Sequence, residues 1–176
     1  LDFIRAKALL SIKMEAGKPI ISRDNEYKLI RGRHPILEAT LKREKKQIVP
    51  LTLTLTPQKH LLIISGPNAG GKSVCLKTAG LLQYMFQWGI LVPAAEISEF
   101  RIFEEIFVDI GDEQSIENDL STYSSHLTNM KGLLQRANSS SLILIDEFGS
   151  GTEPAAGGAI AETILSEMER RGVFGV

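Results

Sequence analysis

The stretch "GPNAGGKS", Gly66–Ser73, decides how the rest of the chain is interpreted. It follows "HLLIIS" (residues 60–65), a run apolar on both faces that predicts an interior strand, and it leads into "VCLKTAGLLQYMFQW" (74–88), which predicts a helix. A first glycine, four residues and then Gly-Lys-Ser is the pattern of a phosphate-binding loop between a strand and a helix. The alternative is a glycine-rich turn that carries a surface lysine.

Each part of this loop has a physical reason to meet a phosphate. Glycines let successive backbone N–H groups point into one concavity, and the helix that follows adds its positive N-terminal end. Lys72 is predicted to reach the β- and γ-phosphates of ATP and to be catalytic, and Ser73 is predicted to offer its hydroxyl to Mg²⁺. The predicted nucleotide-binding residues of the loop are Gly66, Pro67, Asn68, Ala69, Gly70, Gly71, Lys72, Ser73 and Val74.

A second apolar run, "SLILIDE" (141–147), ends in two acids and predicts a fully buried strand. Asp146 at its carboxyl end would orient Mg²⁺ through the water shell of the ion, and Glu147 would polarise the attacking water as the catalytic base. The alternative is a solvated strand end. Tandem acids of this kind are used by ATPases of the ABC type.

The remaining patterns alternate between strand and helix. Period-two leucines in "IVPLTLTLTPQ" (48–58) predict a half-buried strand, and "YKLIRGRHP" (27–35) predicts a strand that Pro35 closes. Further strands are predicted in "EFRIFEEIFVDI", "SLILIDE" and "VFGV", helices in residues 1–19, 121–138 and 153–172, and a charged connector in "LKREKKQ". The predicted fold class is α/β, a P-loop NTPase with an ABC-type ATPase sheet and flanking helices.

Composition sets outer bounds on function. The chain has 176 residues, of which 43% are hydrophobic and 23% charged, with a net charge of −1, so any nucleic-acid partner must use local patches or regions outside this chain. Cys75 is the single cysteine, which fits a reducing, cytoplasmic compartment. No apolar run approaches the roughly 20 residues of a membrane span. Because the chain starts at Leu1 without a signal-peptide pattern, we interpret it as a piece of a longer protein.

Four motifs in order resemble the ATPase domain of the MutS family. They are Gly66-Pro67-Asn68 in the loop, Val92-Pro93-Ala94, Ser121-Thr122-Tyr123, and Asp146-Glu147 followed by the turn Gly149–Thr152. The segments "GRHPILE" and "LDFIRAKA" also resemble the entry into that domain. "DLSTYSSH" and "GSGTEPAAG" are similar to the bacterial MutS paralogue that carries a C-terminal Smr nuclease domain.

The resemblance implies a division of the chain and a composite site. Residues 1–24 would be the end of a core or lever helix from a preceding domain, and residues 25–176 an ABC-type MutS ATPase domain truncated before the strand of the switch histidine. In such homodimers two subunits sandwich two nucleotides, so Ser121 would reach the γ-phosphate of the partner in trans. Ser121 is also a candidate helix N-cap, and the two roles are compatible. Ile48 and Val49 would pack on the base.

The implied function is Mg-ATP binding and hydrolysis that is coupled to dimer closure and to DNA binding by regions outside this chain. The resemblance further implies recombination control or a role like mismatch repair, rescue of ribosomes in some bacteria, a nuclease in the parent protein and no membrane partner. We expect this chain alone to hydrolyse ATP weakly or not at all. The alternatives are the nucleotide-binding subunit of an ABC transporter, against which the missing leucine-serine-glycine-glycine signature stands, and a nucleotide-binding module without turnover.

Three smaller predictions concern packing. Met85, Phe86 and Trp88 are predicted to pack the helix after the loop against the sheet, with a partner surface as the alternative. His126 is predicted to be a partly buried structural histidine. His34 and His60 are assigned no role.

Overall fold

The computed structural model of the chain describes residues 1–67, 70–110, 128, 130–146 and 154–176. These residues form two compact units. Unit 1 comprises residues 1–56 and 66–102, and unit 2 comprises residues 57–65 and 103–176. The chain therefore passes from unit 2 to unit 1 between Ser65 and Gly66, directly before the glycine-rich loop.

Unit 1 is a four-stranded mixed sheet with helices. Its elements are α1 (Asp2–Lys13), β1 (Ile20–Ile21), β2 (Tyr27–Gly32), α2 (Pro35–Arg43), β3 (Leu51–Leu55), α3 (Lys72–Gln87) and β4 (Glu99–Phe100). The strand order is β1-β4-β2-β3; β1 and β4 are parallel, whereas β2 pairs antiparallel with both β3 and β4. The helix that follows the loop, α3, therefore begins at the lysine of the motif.

The core of unit 1 lies between β2, β3 and α3. Leu53 and Leu55 are buried while the threonines between the leucines are exposed, so the half-buried strand predicted from period-two leucines is confirmed. Tyr27 of β2 is fully buried, and its hydroxyl donates to the carbonyl oxygen of Ala79 in α3 at 3.0 Å. Phe86 of α3 stacks on Phe100 with 4.9 Å between ring centroids. These contacts fix α3 on the sheet.

Unit 2 has a parallel sheet with helical residues around it. The strands are β5 (Glu105–Asp109), β6 (Ser141–Ile145) and β7 (Phe174–Gly175); the helices are α4, described over residues 130–136, and α5 (Pro154–Arg170). The order is β5-β6-β7, with both pairings parallel. Leu142, Ile143 and Leu144 of β6 are fully buried, which confirms the predicted interior strand.

One predicted strand is wrong for most of its length. Leu61 forms a single parallel bridge with Gly175, and residues 62–65 lie outside regular secondary structure. Ile63 is 71% exposed, so this run is not an interior strand covered on both faces. Apolar composition alone does not make a strand, because a ladder needs a partner along its whole length, and β7 pairs with this segment only through Gly175.

Two other expectations also need correction. The connector predicted at "LKREKKQ" begins inside α2, because Pro35, expected only to close a strand, occupies the first turn of that helix, where a missing N–H costs nothing. Trp88 is 72% exposed and does not pack α3 on the sheet, whereas Met85 is buried and Phe86 contacts Phe100 as predicted. Trp88 lies just past the last residue of α3, where the chain turns away through Gly89.

No helix in the described ranges combines the length and apolarity that crossing a lipid bilayer requires.

Candidate functional site

The glycine-rich loop has backbone angles that only glycine adopts readily. Gly66 has φ of 148° and Gly71 has φ of 81°. Among the described residues, a Cβ atom added at either glycine would meet no heavy atom within 4 Å, and the positive φ by itself favours glycine at both positions.

Helix α3 begins directly on this loop. Gly71 is its N-cap residue, and the first hydrogen bond of the helix runs from the N–H of Cys75 to the carbonyl oxygen of Gly71 at 3.0 Å. The amides of residues 72–74 therefore precede the internal ladder of the helix. At a helix N-terminus such groups point along the axis and favour an anion.

Lys72 folds back across the loop. Its Nζ donates to the carbonyl oxygen of Gly66 at 2.5 Å. The ammonium group of Lys72 thus lies close to the backbone of the loop. A phosphate oxygen would be a stronger acceptor than this neutral carbonyl, because a charged acceptor strengthens the hydrogen bond.

A cavity of about 390 Å³ within unit 1 adjoins the loop. Gly70, Gly71 and one face of α3, with Val74 and Cys75, form one side of this cavity. The opposite side comes from the end of β2, from α2 and from residues 47–51. The volume lies in the range of small-molecule sites, roughly 300–1,000 Å³.

Two residues predicted to contact a base line this cavity. Ile48 and Val49 lie there together with Val74, which was predicted as part of the loop site. Val49 is 89% exposed, so its side chain is open to a ligand rather than used in the core. The structure therefore brings the predicted base-contacting residues and the carboxyl end of the loop to one cavity.

The cavity also contains residues that the sequence analysis did not select. They are Gly32, His34, Leu37, Leu41, Gln47, Pro50, Leu51, Cys75 and Thr78. The histidine followed by proline was a usable signal, because proline at the first position of a helix marks a start at the residue before it. Gly32 and Leu37 belong to the segment "GRHPILE", which was noted for its family resemblance but given no site role. The other residues carry no site motif, since only folding brings them beside the loop helix.

His34 is fixed by the helix that it caps. Its Nδ1 accepts a hydrogen bond from the N–H of Leu37 at 3.3 Å. Partial burial has the largest effect and lowers the pKa of His34 below its ordinary value; the residue's own backbone acts in the opposite direction, and the positive charge of Lys77 on α3 lowers the pKa further. The neutral ring that results must carry its proton on Nε2, because Nδ1 acts as the acceptor.

The acid-bearing strand lies in unit 2. Gly175 of β7 donates its N–H to the carbonyl oxygen of His60 and accepts from the N–H of Leu62, while Val176, which follows β7, bonds to Ile143 and Ile145 of β6. Strand β7 thus lies between β6 and the segment at residues 60–62, and all three run parallel. The carboxyl ends of parallel strands meet at one edge of a sheet, so Ser65 and Asp146 follow these segments at the same edge.

Asp146 is buried at the end of β6, and its N–H donates to the carbonyl oxygen of Asp109 at 2.9 Å. Glu147, the predicted catalytic base, lies outside the described residues, as do Asn68, Ala69, Ser121 and His126. Their predicted roles remain predictions, as do the roles given to Lys72, Ser73 and Asp146.

Metal-ligating side chains are not clustered among the described residues. Among residues 1–67, 70–110, 130–146 and 154–176, no group of three or more histidine, cysteine or carboxylate side chains could hold a metal. Mg²⁺ commonly binds through one or two carboxylates together with substrate phosphates. The hydroxyl of Ser73 in unit 1 and the carboxylate of Asp146 in unit 2 are donor types that Mg²⁺ accepts, and their metal roles stay predictions.

The fold and this geometry define a mixed α/β domain in which a glycine-rich loop precedes a long helix beside an apolar cavity. Residues 62–173 match the family model described as MutS domain V. The chain belongs to the MutS domain V family, as the order of its motifs predicted.

Curated relatives agree with this assignment. The chain is 46% identical over 172 residues to endonuclease MutS2 of Caldanaerobacter subterraneus subsp. tengcongensis, a match that covers 98% of this chain and 21% of that protein. It is 47% identical over 171 residues to endonuclease MutS2 of Lachnoclostridium phytofermentans, covering 97% and 21%. It is 44% identical over 176 residues to endonuclease MutS2 of Alkaliphilus oremlandii, covering 100% and 22%.

These matches support the MutS2 branch within the family, which is the bacterial paralogue predicted from "DLSTYSSH" and "GSGTEPAAG". They do not favour the transporter subunit that the sequence analysis left open as an alternative. The chain spans about a fifth of the length of the curated relatives that it matches.

The neutral state of His34 predicts how stability depends on pH. Because the folded chain lowers the pKa of His34, the unfolded chain binds the proton more readily, and stability rises with pH between the two values. The contribution is complete above the ordinary value of about 6.5 and is lost as pH falls below it. In His34→Asn, which keeps a good N-cap without this titration, urea unfolding should show a smaller loss of stability between about pH 7.5 and about pH 5.5. An equal loss in both proteins would contradict the assignment.

Proposed function

We propose that this chain binds Mg-ATP and belongs to the ATPase part of a longer cytoplasmic protein. The observation that carries the proposal is the cavity beside the loop. Apolar side chains at positions 48, 49 and 74 face the same space as Gly70 and Gly71, at the N-terminal end of α3. A triphosphate needs backbone amides and a cation, and a base needs an apolar slot; both features occur side by side in unit 1.

The proposal gives each end of the nucleotide a partner. The loop amides and the helix N-terminus hold phosphate oxygens, and the Lys72 ammonium exchanges the Gly66 carbonyl for the β- and γ-phosphates. The base enters between Ile48, Val49 and the first turn of α3. In this proposal the N-terminal end of α3 therefore contributes to binding of both the phosphates and the base.

Hydrolysis in this proposal follows the roles predicted from sequence. When bound, Mg²⁺ would neutralise charge on the phosphates, and the Ser73 hydroxyl and the Asp146 carboxylate are the groups proposed to hold it. Glu147 removes the proton of the attacking water. The ABC-type ATPase sheet and the P-loop NTPase class belong to this proposal and rest on the motifs and on the family match.

The parts beyond this chain enter the proposal through the relatives. They are named endonuclease MutS2, and we propose that the longer protein likewise has a nuclease region and a DNA-binding region outside residues 1–176. ATP binding would close a homodimer, and this closure would be coupled to DNA binding by those regions. DNA is the proposed partner in recombination control or repair, and the ribosome is the second candidate from the resemblance.

Lys72→Ala in the full-length protein should weaken Mg-ATP binding by about 10- to 100-fold, because a charge-assisted contact to the phosphates is lost. Cys75 provides a direct measurement, since it lines the cavity and is the single cysteine of this chain. Saturating Mg-ATP should slow alkylation of Cys75, followed by peptide mass, in the wild type and far less in the variant. Lys13→Ala, which removes a lysine at the end of α1 that does not line the cavity, is the matched control and should behave as the wild type. Protection of Cys75 that survives in Lys72→Ala would place the nucleotide elsewhere.

Glu147→Gln should separate binding from turnover. The amide keeps the size of the side chain but cannot take a proton, so the full-length variant should bind ATP normally and turn it over about 10²- to 10⁴-fold more slowly. Asp146→Asn should instead weaken the dependence on Mg²⁺. Phosphate release and Cys75 protection measure the two effects. If Glu147→Gln turns ATP over at the wild-type rate, Glu147 is not the catalytic base. If the wild-type protein shows no turnover, the result favours the alternative of a nucleotide-binding module without turnover.

The composite dimer predicts a crosslink that depends on the γ-phosphate. In full-length protein carrying Glu147→Gln and Cys75→Ser, the pair Ser121→Cys and Pro67→Cys should crosslink between subunits with ATP and much less with ADP, because ADP lacks the group that a helix N-terminus would bind. Non-reducing gels resolve the product. Equal crosslinking with both nucleotides would leave Ser121 as a helix cap only.

A further inference from the structure

The polar side chains of the cavity differ in how firmly they are held. Thr78 has already committed its hydroxyl, which donates to the carbonyl oxygen of Val74 at 2.6 Å. Gln47 is exposed at the rim of the cavity. His34 is partly buried and is held by the hydrogen bond that its Nδ1 accepts from Leu37. A rigid donor selects its acceptor better than a mobile one, because less freedom is lost when the contact forms.

The hydrogen bond at Nδ1 also fixes what His34 can offer. A ring nitrogen that accepts from a backbone N–H has no proton, so the neutral ring has its N–H at Nε2 and is a donor there. Burial and Lys77 both lower the pKa of His34, which keeps the ring neutral near pH 7. Among the described side chains that line the cavity, His34 therefore supplies a fixed N–H donor with apolar side chains around it.

This arrangement suits a flat heteroaromatic ring with an acceptor on its edge. Ile48, Val49, Leu37 and Leu41 supply apolar surface for the faces of the ring. A purine of the adenine type has unprotonated ring nitrogens that accept hydrogen bonds in its plane. We infer that His34 is a specificity-determining residue that donates from Nε2 to a ring nitrogen of the adenine base, an inference that rests on the proposed function.

The energetic consequence follows from the asymmetry of hydrogen bonds. A ligand that lacks the acceptor leaves the N–H of His34 facing a carbon atom, and the site loses the contact while keeping the desolvation cost. The loss of affinity depends on a single ring nitrogen at the edge of the base, and the phosphate contacts of the loop are unchanged. A residue that only supported the fold would weaken all nucleotides alike.

The test compares deaza analogues in the full-length protein. The triphosphates of 1-deaza-, 3-deaza- and 7-deazaadenosine each replace one ring nitrogen by a carbon. One of the three should bind the wild type about 5- to 10-fold more weakly than ATP, the order of a single hydrogen bond, and the other two should bind as ATP does. In His34→Asn, which keeps the N-cap but has a shorter side chain, that one analogue and ATP should bind equally.

His60→Asn is the matched control, because it makes the same exchange at a histidine that does not line the cavity, and it should keep the wild-type ranking. Equal binding of all three analogues to the wild type would overturn the inference even if His34→Asn failed to fold. A loss that persists in His34→Asn would overturn it as well. If Mg-ATP binds but the three analogues bind with equal affinity, the inference about His34 fails and the proposed function stands. If Mg-ATP does not protect Cys75, the proposed function and the inference are both refuted.

Discussion

A loop can aim its amides at one point only if the helix behind it does not move, and the fixation of α3 is the constraint on which the rest of unit 1 depends. The Tyr27 hydroxyl donates to the Ala79 carbonyl oxygen from the start of β2, and the ring of Tyr27 packs edge-on against Phe100. Burial raises the pKa of Tyr27 far above its ordinary value, so the phenol stays neutral and keeps its donor. The helix that is fixed here begins with the lysine of the loop.

A second set of contacts holds the opposite side of the cavity. Glu38 of α2 is buried and accepts from Arg33 at 3.0 Å, and Lys42 lies 3.2 Å from the same oxygen. Arg33 also donates to the carbonyl oxygens of Met14 and Glu15, which follow α1. A buried carboxylate is tolerated when cations and hydrogen bonds surround it, and such a network restricts the position of α2. Leu37 and Leu41 of α2 are thereby held against the cavity.

The sequence was informative wherever function required a particular backbone or charge. Gly71 must adopt a left-handed angle at the start of a helix, and the alternating leucines of β3 must face one side, so both requirements leave a pattern in the order of residues. Residues 62–65 misled because an apolar run ensures neither pairing nor burial, as the exposed Ile63 shows. Helix α2 was missed because Pro35 marks strand ends and helix starts equally well. The cavity residues Leu37, Leu41 and Cys75 have no pattern of their own, since only folding brings them together.

This contrast has a physical origin in the two ends of the proposed ligand. Phosphates are recognised by backbone amides and a lysine, and these demand glycines at fixed spacing, so a short motif describes them. A base is recognised by shape and by few donors, which many side-chain sets can supply from different elements. In the proposed function, selection among nucleotides therefore falls to α2 and residues 47–51, outside the loop motif. If the proposed function holds, relatives that share the loop can differ in nucleotide preference through substitutions at positions such as His34, while their phosphate chemistry stays the same.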